Sequence, residues 1–428
     1  MPPWYYGIFI TTKNRYICPR QKTRTIQITD KRITMKKPTY HWKLIIPVLM
    51  SFFVMSFIDL VGTGVDELRR DSNTPSYILQ LIPFVAFIWF FLLSVPVGIW
   101  QDKVGKKRAL NTGIIITAVG LLVPILGNTL PVILVAFALL GIGNTILQVS
   151  ANPLLVDVVP EGQSSSILSF SQFVKSLGSV IGPFVAAVVG PWLAKLLGNT
   201  SGGEWRYGLY LFALISLISF VWLSAVNIPE QKSSSEKASL KSCFSLLKNR
   251  YVLMMVLAIF AVVGIDVGIN SNIGTFLTEK LGVSLEKAVY GKSVYFFAKM
   301  AGTFVGAMLL TRISGKKFLL ASSLLAAIAM VALIFTPSTL AAWIIIAVIS
   351  LGVSNIFPLV FSITVEKYPQ RANEISGLMM MAISGGAIIP FFIGYAMKQN
   401  LNGGIVVLLL CILYIIAATL LSRTNTKG

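Results

Sequence analysis

Two carboxylates and two ammonium groups stand where the rest of the chain is apolar: Asp59, Lys175, Asp266 and Lys299. Every other Asp, Glu, Lys or Arg falls at the end of an apolar block or between blocks. A charge near the centre of a bilayer costs about 3 kcal/mol or more, so it is rarely kept without a partner or a task. A carboxylate in such a place can carry a proton, because burial favours its neutral form and an approaching cation favours its ionised form. Asp59 and Asp266 are therefore the expected proton-coupling residues. Lys175 and Lys299 admit two readings. Sharing one cavity, they repel unless an anion lies between them, which points to a carboxylate-bearing ligand. Alternatively each pairs with an aspartate, Lys175 with Asp59 and Lys299 with Asp266, as permanent ties or as pairs that exchange partners.

Neutral amides accompany the charges. Asn144, Gln148 and Asn152 recur every four residues and so share one helix face. Gln172, Asn270, Asn272 and Asn355 add amides elsewhere. Amides both donate and accept, which suits a polyhydroxylated ligand; the other use of such groups is to bond helix to helix. Tyr295 precedes Lys299 by one turn and is expected to stack on a ligand ring.

The elements that must position these groups are long apolar blocks. The 428-residue chain is 55% hydrophobic and 12% charged, and a block of about 18 apolar residues reads as a membrane-spanning helix. Twelve blocks fit: 43–65, 77–99, 109–127, 131–156, 166–190, 207–227, 251–275, 290–311, 318–336, 340–365, 375–397 and 403–422.

The net charge of +20 is a topology signal and not a nucleic-acid footprint. Basic residues concentrate at both termini, at 103–108, in the 228–250 linker and around Arg312, Lys316 and Lys317. The positive-inside rule places both termini in the cytoplasm. Asp66, Glu67, Arg69, Arg70 and Asp71 read as a solvated rim at the opposite end. The single His41 and the scattered Cys18, Cys243 and Cys411 form no metal-ligand or disulfide framework. With no nucleophile–base pair either, neither an enzyme nor a cofactor is expected.

The halves echo each other weakly, at an offset of about 207–211 residues. Ile58-Asp59 matches Ile265-Asp266, Gly105-Lys106-Lys107 matches Gly315-Lys316-Lys317, Gly141 and Asn144 match Gly352 and Asn355, and Gly178 and Pro183 match Gly385 and Pro390. Chance similarity among apolar segments is the competing account, but Asp and Asn are rare in such segments. Duplication gives two six-helix halves, 43–227 and 251–422, with a site at the midplane between them. A basic segment 1–42, a linker 228–250 and a tail 423–428 complete the chain. Met35 opens a short basic lead into the first helix and is the expected start, with 1–34 an upstream extension or a disordered arm.

After the second block the chain reads Gly98-Ile-Trp-Gln-Asp102-Lys103-Val-Gly105-Lys106-Lys107-Arg108. This resembles the loop signature of the major facilitator superfamily, a gating and stability element. Gly98 would allow close helix approach, Asp102 would pair with a cation across the domain interface at a helix N-terminus, and Gly105 would turn the chain. Three stretches are similar to the fucose–galactose–glucose:proton symporter family within that superfamily: Gly141 to Pro153, Gln172 to Pro183, and Asn355 to Phe361 with Ser376 to Pro390. The resemblance implies twelve transmembrane helices in the major facilitator fold and sugar import by alternating access, driven by protons.

The sequence departs from the family pattern at three places. Gln148 stands where the family has glutamate, Lys175 where it has asparagine, and Thr303 where it has arginine, with Lys299 one turn earlier. The rewired charges favour an acidic sugar such as a sialate or hexuronate over a neutral hexose. An efflux antiporter and a transport-dead sensor are the remaining alternatives. The expected setting is a bacterial inner membrane, with the lipid bilayer, protons and a sugar or sugar acid as partners of a monomer.

Overall fold

The structure, a computed structural model, describes residues 41–61, 64, 81–127, 129–160, 162–198, 203–230 and 239–424. The 1–34 extension, Met35, Cys18 and the Asp66–Asp71 rim lie outside the described residues.

In hydrocarbon each backbone group must find its partner within its own segment, so apolar blocks become helices. Among the described residues twelve long segments form. They are α1 (Trp42–Met55), α2 (Leu81–Val104), α3 (Lys106–Leu122), α4 (Leu130–Asp157), α5 (Ser164–Phe184) and α6 (Arg206–Ala225). A short linker helix, Leu240–Ser245, follows. Then come α7 (Arg250–Leu281), α8 (Leu285–Leu309), α9 (Gly315–Ile334), α10 (Thr339–Val353, resuming as Ile356–Lys367), α11 (Ala372–Met381, resuming as Gly385–Gln399) and α12 (Gly403–Thr424). Each corresponds to one of the twelve apolar blocks.

Among the described residues ten segments are long and apolar enough to span a membrane by composition alone. α5 and α8, the helices carrying Lys175 and Lys299, pack against each other.

Irregular turns interrupt the spans. The end of α1 tightens into a 3₁₀ turn, Ser56–Leu60, which carries Asp59. Gly178 of α5 permits this turn to approach, since a Cβ there would collide with the Ser56 side chain. Another 3₁₀ turn, Ala382–Ser384, divides α11. Such turns mark places where a helix can change its winding.

Within the first six segments α2 and α3 pack on α4, α3 on α6, and α1 on α5 and α6. Within the last six α7 packs on α11 and α12, α8 on α10, and α9 on α10 and α12. Contacts between the two groups run α2 to α11, α5 to α8 and α10, and α4 to α11.

Candidate functional site

Asp266 of α7 is held from two sides by α8. Its Oδ2 lies 2.6 Å from Lys299 Nζ, and its Oδ1 accepts the Tyr295 hydroxyl proton at 2.7 Å. The Tyr295 carbonyl in turn accepts from Ser350 Oγ of α10 at 2.6 Å. Lys299 and Asp266 each retain about a quarter of their side-chain exposure (26% and 27%), so this pair faces an open space and not the packed core. Tyr295 is buried. Its ring is enclosed and its hydroxyl is engaged, so it supports Asp266 and is not the stacking platform expected from its position one turn before Lys299.

The other aspartate and lysine are arranged differently. Asp59 is exposed and accepts a hydrogen bond from Ser179 Oγ, one turn beyond Lys175 on α5, at 2.5 Å. Among the described residues the Lys175 ammonium makes no hydrogen bond or ion pair. Of the two pairings considered, Lys299 with Asp266 forms and Lys175 with Asp59 does not.

Phe173 of α5 and Phe304 of α8 meet below these groups, with ring centroids 5.0 Å apart. The helices run antiparallel. At 1.5 Å per residue, Lys175 lies about 3 Å and Lys299 about 7 Å to the same side of that aromatic contact. Ser179 and Asp59 lie farther along the same direction. Toward the basic loops, below the aromatics, the halves are tied together: Ser165 Oγ meets Ser362 Oγ at 2.7 Å, and Ser166 Oγ donates to the Ala307 carbonyl at 2.6 Å. Ser376 Oγ donates to the Val149 carbonyl at 2.7 Å, and Asp102 accepts from the Asn373 amide. Gly98 and Gly377 let α2 and α11 touch backbone to backbone. Every hydrogen bond and ring contact found between the halves, among the described residues, lies in the part of the bundle nearer the basic loops. The arrangement is a cleft closed at the basic end, with four charges above an aromatic floor.

The helix-four amides serve packing. Asn144 Nδ2 donates to the Met55 carbonyl of α1 at 2.5 Å, Gln148 Nε2 to Asn144 Oδ1 at 2.7 Å, and Asn152 Nδ2 to the Gln148 carbonyl at 2.7 Å. All three are buried. Asn355, also buried, bonds the break in α10 to the Gly302 carbonyl of α8 at 2.7 Å. These four were expected to contact ligand; their amides instead satisfy backbone carbonyls or one another. Gln172 and Asn270 remain half-buried, and among the described residues their side chains have no hydrogen-bond partner.

The loop after α2 is more built-in than a solvated basic run. Gly105 turns the chain at φ +94°. Lys106 Nζ is buried against Asp157 Oδ2 at 2.6 Å. Glu230 accepts the backbone N–H groups of Lys106 and Lys107, and Lys107 Nζ reaches the Ser224 and Val226 carbonyls at the end of α6. These contacts use the helix-end groups that lack partners within the helix. Asp102 takes an amide and not the expected cation, at the N-terminus of α11. Lys103 and Arg108 stay outside this network.

The linker helix adds residues the sequence did not single out. Ser242 Oγ donates to Glu374 Oε1 at 2.6 Å and accepts from Arg371 Nη2 at 2.8 Å. Glu374 is buried and bound by Arg371. The linker helix packs on both α2 and α11, so it straddles the closed end. Cys243 is fully buried there, and its thiol is pushed up to about 12, mainly by burial and also by the Glu374 charge.

Comparison with known proteins follows this geometry. The model of the Major Facilitator Superfamily matches residues 47–391. The glucose/galactose transporter of Brucella abortus biovar 1 (strain 9-941) is 27% identical over 353 residues, covering 80% of this chain and 85% of the relative. The L-fucose-proton symporter of Escherichia coli (strain K12) is 25% identical over 415 residues, covering 87% and 91%. The crystal structure of the transporter FucP in the outward conformation superposes with a TM-score of 0.75 at 20% identity, covering 90% of this chain and 99% of that one.

Proposed function

The chain belongs to the Major Facilitator Superfamily and is an integral membrane protein, and from that premise we propose that it imports a neutral hexose by proton-coupled symport with alternating access. The observation that carries the reading is the Asp266–Lys299 pair. Two free lysines in one cleft would call for an anionic ligand; with Lys299 already neutralised, the requirement falls away. The relatives named for glucose, galactose and fucose support the neutral sugar. The preference for a sialate or hexuronate drawn from the sequence is therefore reversed.

In this reading Asp59, exposed in the cleft, accepts the proton, and Asp266 with Lys299 forms a second switchable pair. Lys175, Gln172 and Asn270 supply the polar contacts to hydroxyls. The Phe173–Phe304 floor separates sugar from the closed end, and the halves rock about the site. The charge distribution supports a cytoplasmic placement of the basic end, in a bacterial inner membrane. An acidic sugar is kept as a second reading by one observation: Lys175 is without an ion partner among the described residues.

The test is uptake into proteoliposomes carrying an imposed pH gradient. Accumulation of labelled glucose, galactose or fucose that follows an inward proton gradient and is competed by neutral hexoses is expected. Uptake blind to the gradient, or competed only by hexuronates, would remove the proposal.

A further inference from the structure

We propose that Ser179 is a positioning residue for proton coupling, acting through Asp59 as the catch on the 3₁₀ turn of α1. The inference rests on the reading of Asp59 as the proton acceptor. Its basis is a conflict at one hydroxyl. Ser179 Oγ lies 2.5 Å from Asp59 Oδ2 and 3.2 Å from the Lys175 carbonyl of its own helix. A serine hydroxyl has one proton to donate, so only one acceptor can hold it. An ionised carboxylate is the stronger acceptor. While Asp59 carries its charge, the proton goes to α1. Once Asp59 is protonated the advantage ends and the hydroxyl returns to the carbonyl of Lys175.

The winding of α1 makes this consequential. Residues three apart eclipse in a 3₁₀ helix, so Ser56 and Asp59 stand one above the other on Ser56–Leu60. Both meet α5 at consecutive residues: Ser56 faces Gly178, where a side chain would collide with it, and Asp59 faces Ser179. In an α-helix the same two residues are offset by about 60° more or less in rotation, from 3.6 against 3.0 residues per turn. Rewinding the turn therefore swings Asp59 off α5. The hydrogen bond from Ser179 opposes that swing only while Asp59 is charged, which ties protonation to a movement of α1 against the helix bearing Lys175. The 3₁₀ turn packs on α5 and α4. The charged groups of those helices are Lys175 on α5 and Asp157 at the far, basic end of α4, where Lys106 pairs with it. Lys175 is the one near the turn.

The experiment compares the native chain with Ser179→Ala, Ser179→Thr and Asp59→Asn in proteoliposomes, reading the pH at which gradient-driven uptake is half-maximal. Ser179→Ala should displace that midpoint upward by about one pH unit, a charge-assisted hydrogen bond being lost, and Ser179→Thr should restore it. Where a variant transports too weakly, infrared titration of the protonated carboxyl band, assigned by its loss in Asp59→Asn, reads the same midpoint on purified protein. A Ser179→Ala midpoint that superimposes on the native one would overturn the inference while leaving the coupling role of Asp59 standing, as would equal displacement by alanine and threonine. Gradient-driven accumulation surviving in Asp59→Asn would instead remove that coupling role, and this inference with it.

Discussion

Lys299 and Asp266 lie 2.6 Å apart on adjacent helices of the second half, whereas in the first half Lys175 and Asp59 make no ion pair among the described residues. The two candidate aspartate–lysine pairs thus stand in two states, one closed on itself and one unpaired. Removing one member of the closed pair leaves the other charge facing the cleft without a counter-ion. Because each side chain keeps about a quarter of its exposure, the loss should be about 1–2 kcal/mol, below that for a fully buried pair. Lys299→Gln and Asp266→Asn should each lower the Tm in detergent, and the double variant should recover most of it. An additive double variant would show that the two groups do not interact.

The fold was legible because span length and apolarity are carried by every residue of a block, and all twelve blocks became helices. The site was legible in part. Asp266 and Lys299 stood out since a charge in an apolar block has few explanations, and their pairing was one of two arrangements open to the sequence. Their neighbour Tyr295 was misplaced because spacing fixes which helix face a ring occupies but not whether another helix covers it. The ladder of Asn144, Gln148 and Asn152 shared one face as expected, yet Asn144 is spent on α1, Gln148 on Asn144, and Asn152 on the Gln148 carbonyl beside Met380 of α11. Ser179 and Ser242 were invisible. Serine is common in these helices, and a role that depends on a 3₁₀ turn or on a linker helix reaching α11 leaves no periodic trace.

Lys175 decides between substrate classes. A ligand stabilises the folded protein by mass action, so thermal shift reports binding directly. Neutral hexoses should raise the Tm of the native chain. Lys175→Gln should weaken that response no more than about tenfold in apparent Kd, the scale of one hydrogen bond to a charged group. Stabilisation by hexuronates alone, abolished in Lys175→Gln, would restore the acidic-sugar reading.

The closed end holds opposing terms that two substitutions should separate. Gln101 is buried on α2, and among the described residues neither its amide nitrogen nor its amide oxygen has a hydrogen-bond partner. It shares a helix face with Gly98, so it burdens the interface with α11. Gln101→Leu should strengthen closure by about 1–3 kcal/mol, raising the Tm and slowing turnover. Ser242→Ala removes the hydroxyl that links Glu374 and Arg371 to the linker helix. It should loosen the same end by about 1 kcal/mol and lower the Tm. Both substitutions shifting the Tm in one direction would show that the linker helix does not hold this end closed.

Cys243 offers a reporter of that end. It is fully buried beside Glu374, and the thiol is pushed up to about 12. The thiolate is the reactive form, so in a background of Cys18→Ser and Cys411→Ala the closed protein should resist maleimide at pH 7. The sign of the pH effect follows from the same shift. An unfolded thiol ionises near 9.0 while the folded one stays neutral to about 12, so the folded state loses stability as pH rises between those values and is unaffected by this group below them. Labelling should therefore be slower at pH 7 than for an exposed thiol and should keep climbing toward pH about 12, where that of a thiol ionising near 9.0 has levelled off. If the cleft alternates, a transported hexose should speed labelling at pH 7 by exposing the linker helix, and Ser242→Ala should speed it without sugar. Labelling at pH 7 as fast as that of an exposed thiol, with and without sugar, would place Cys243 at an open surface and remove the closed end from the mechanism.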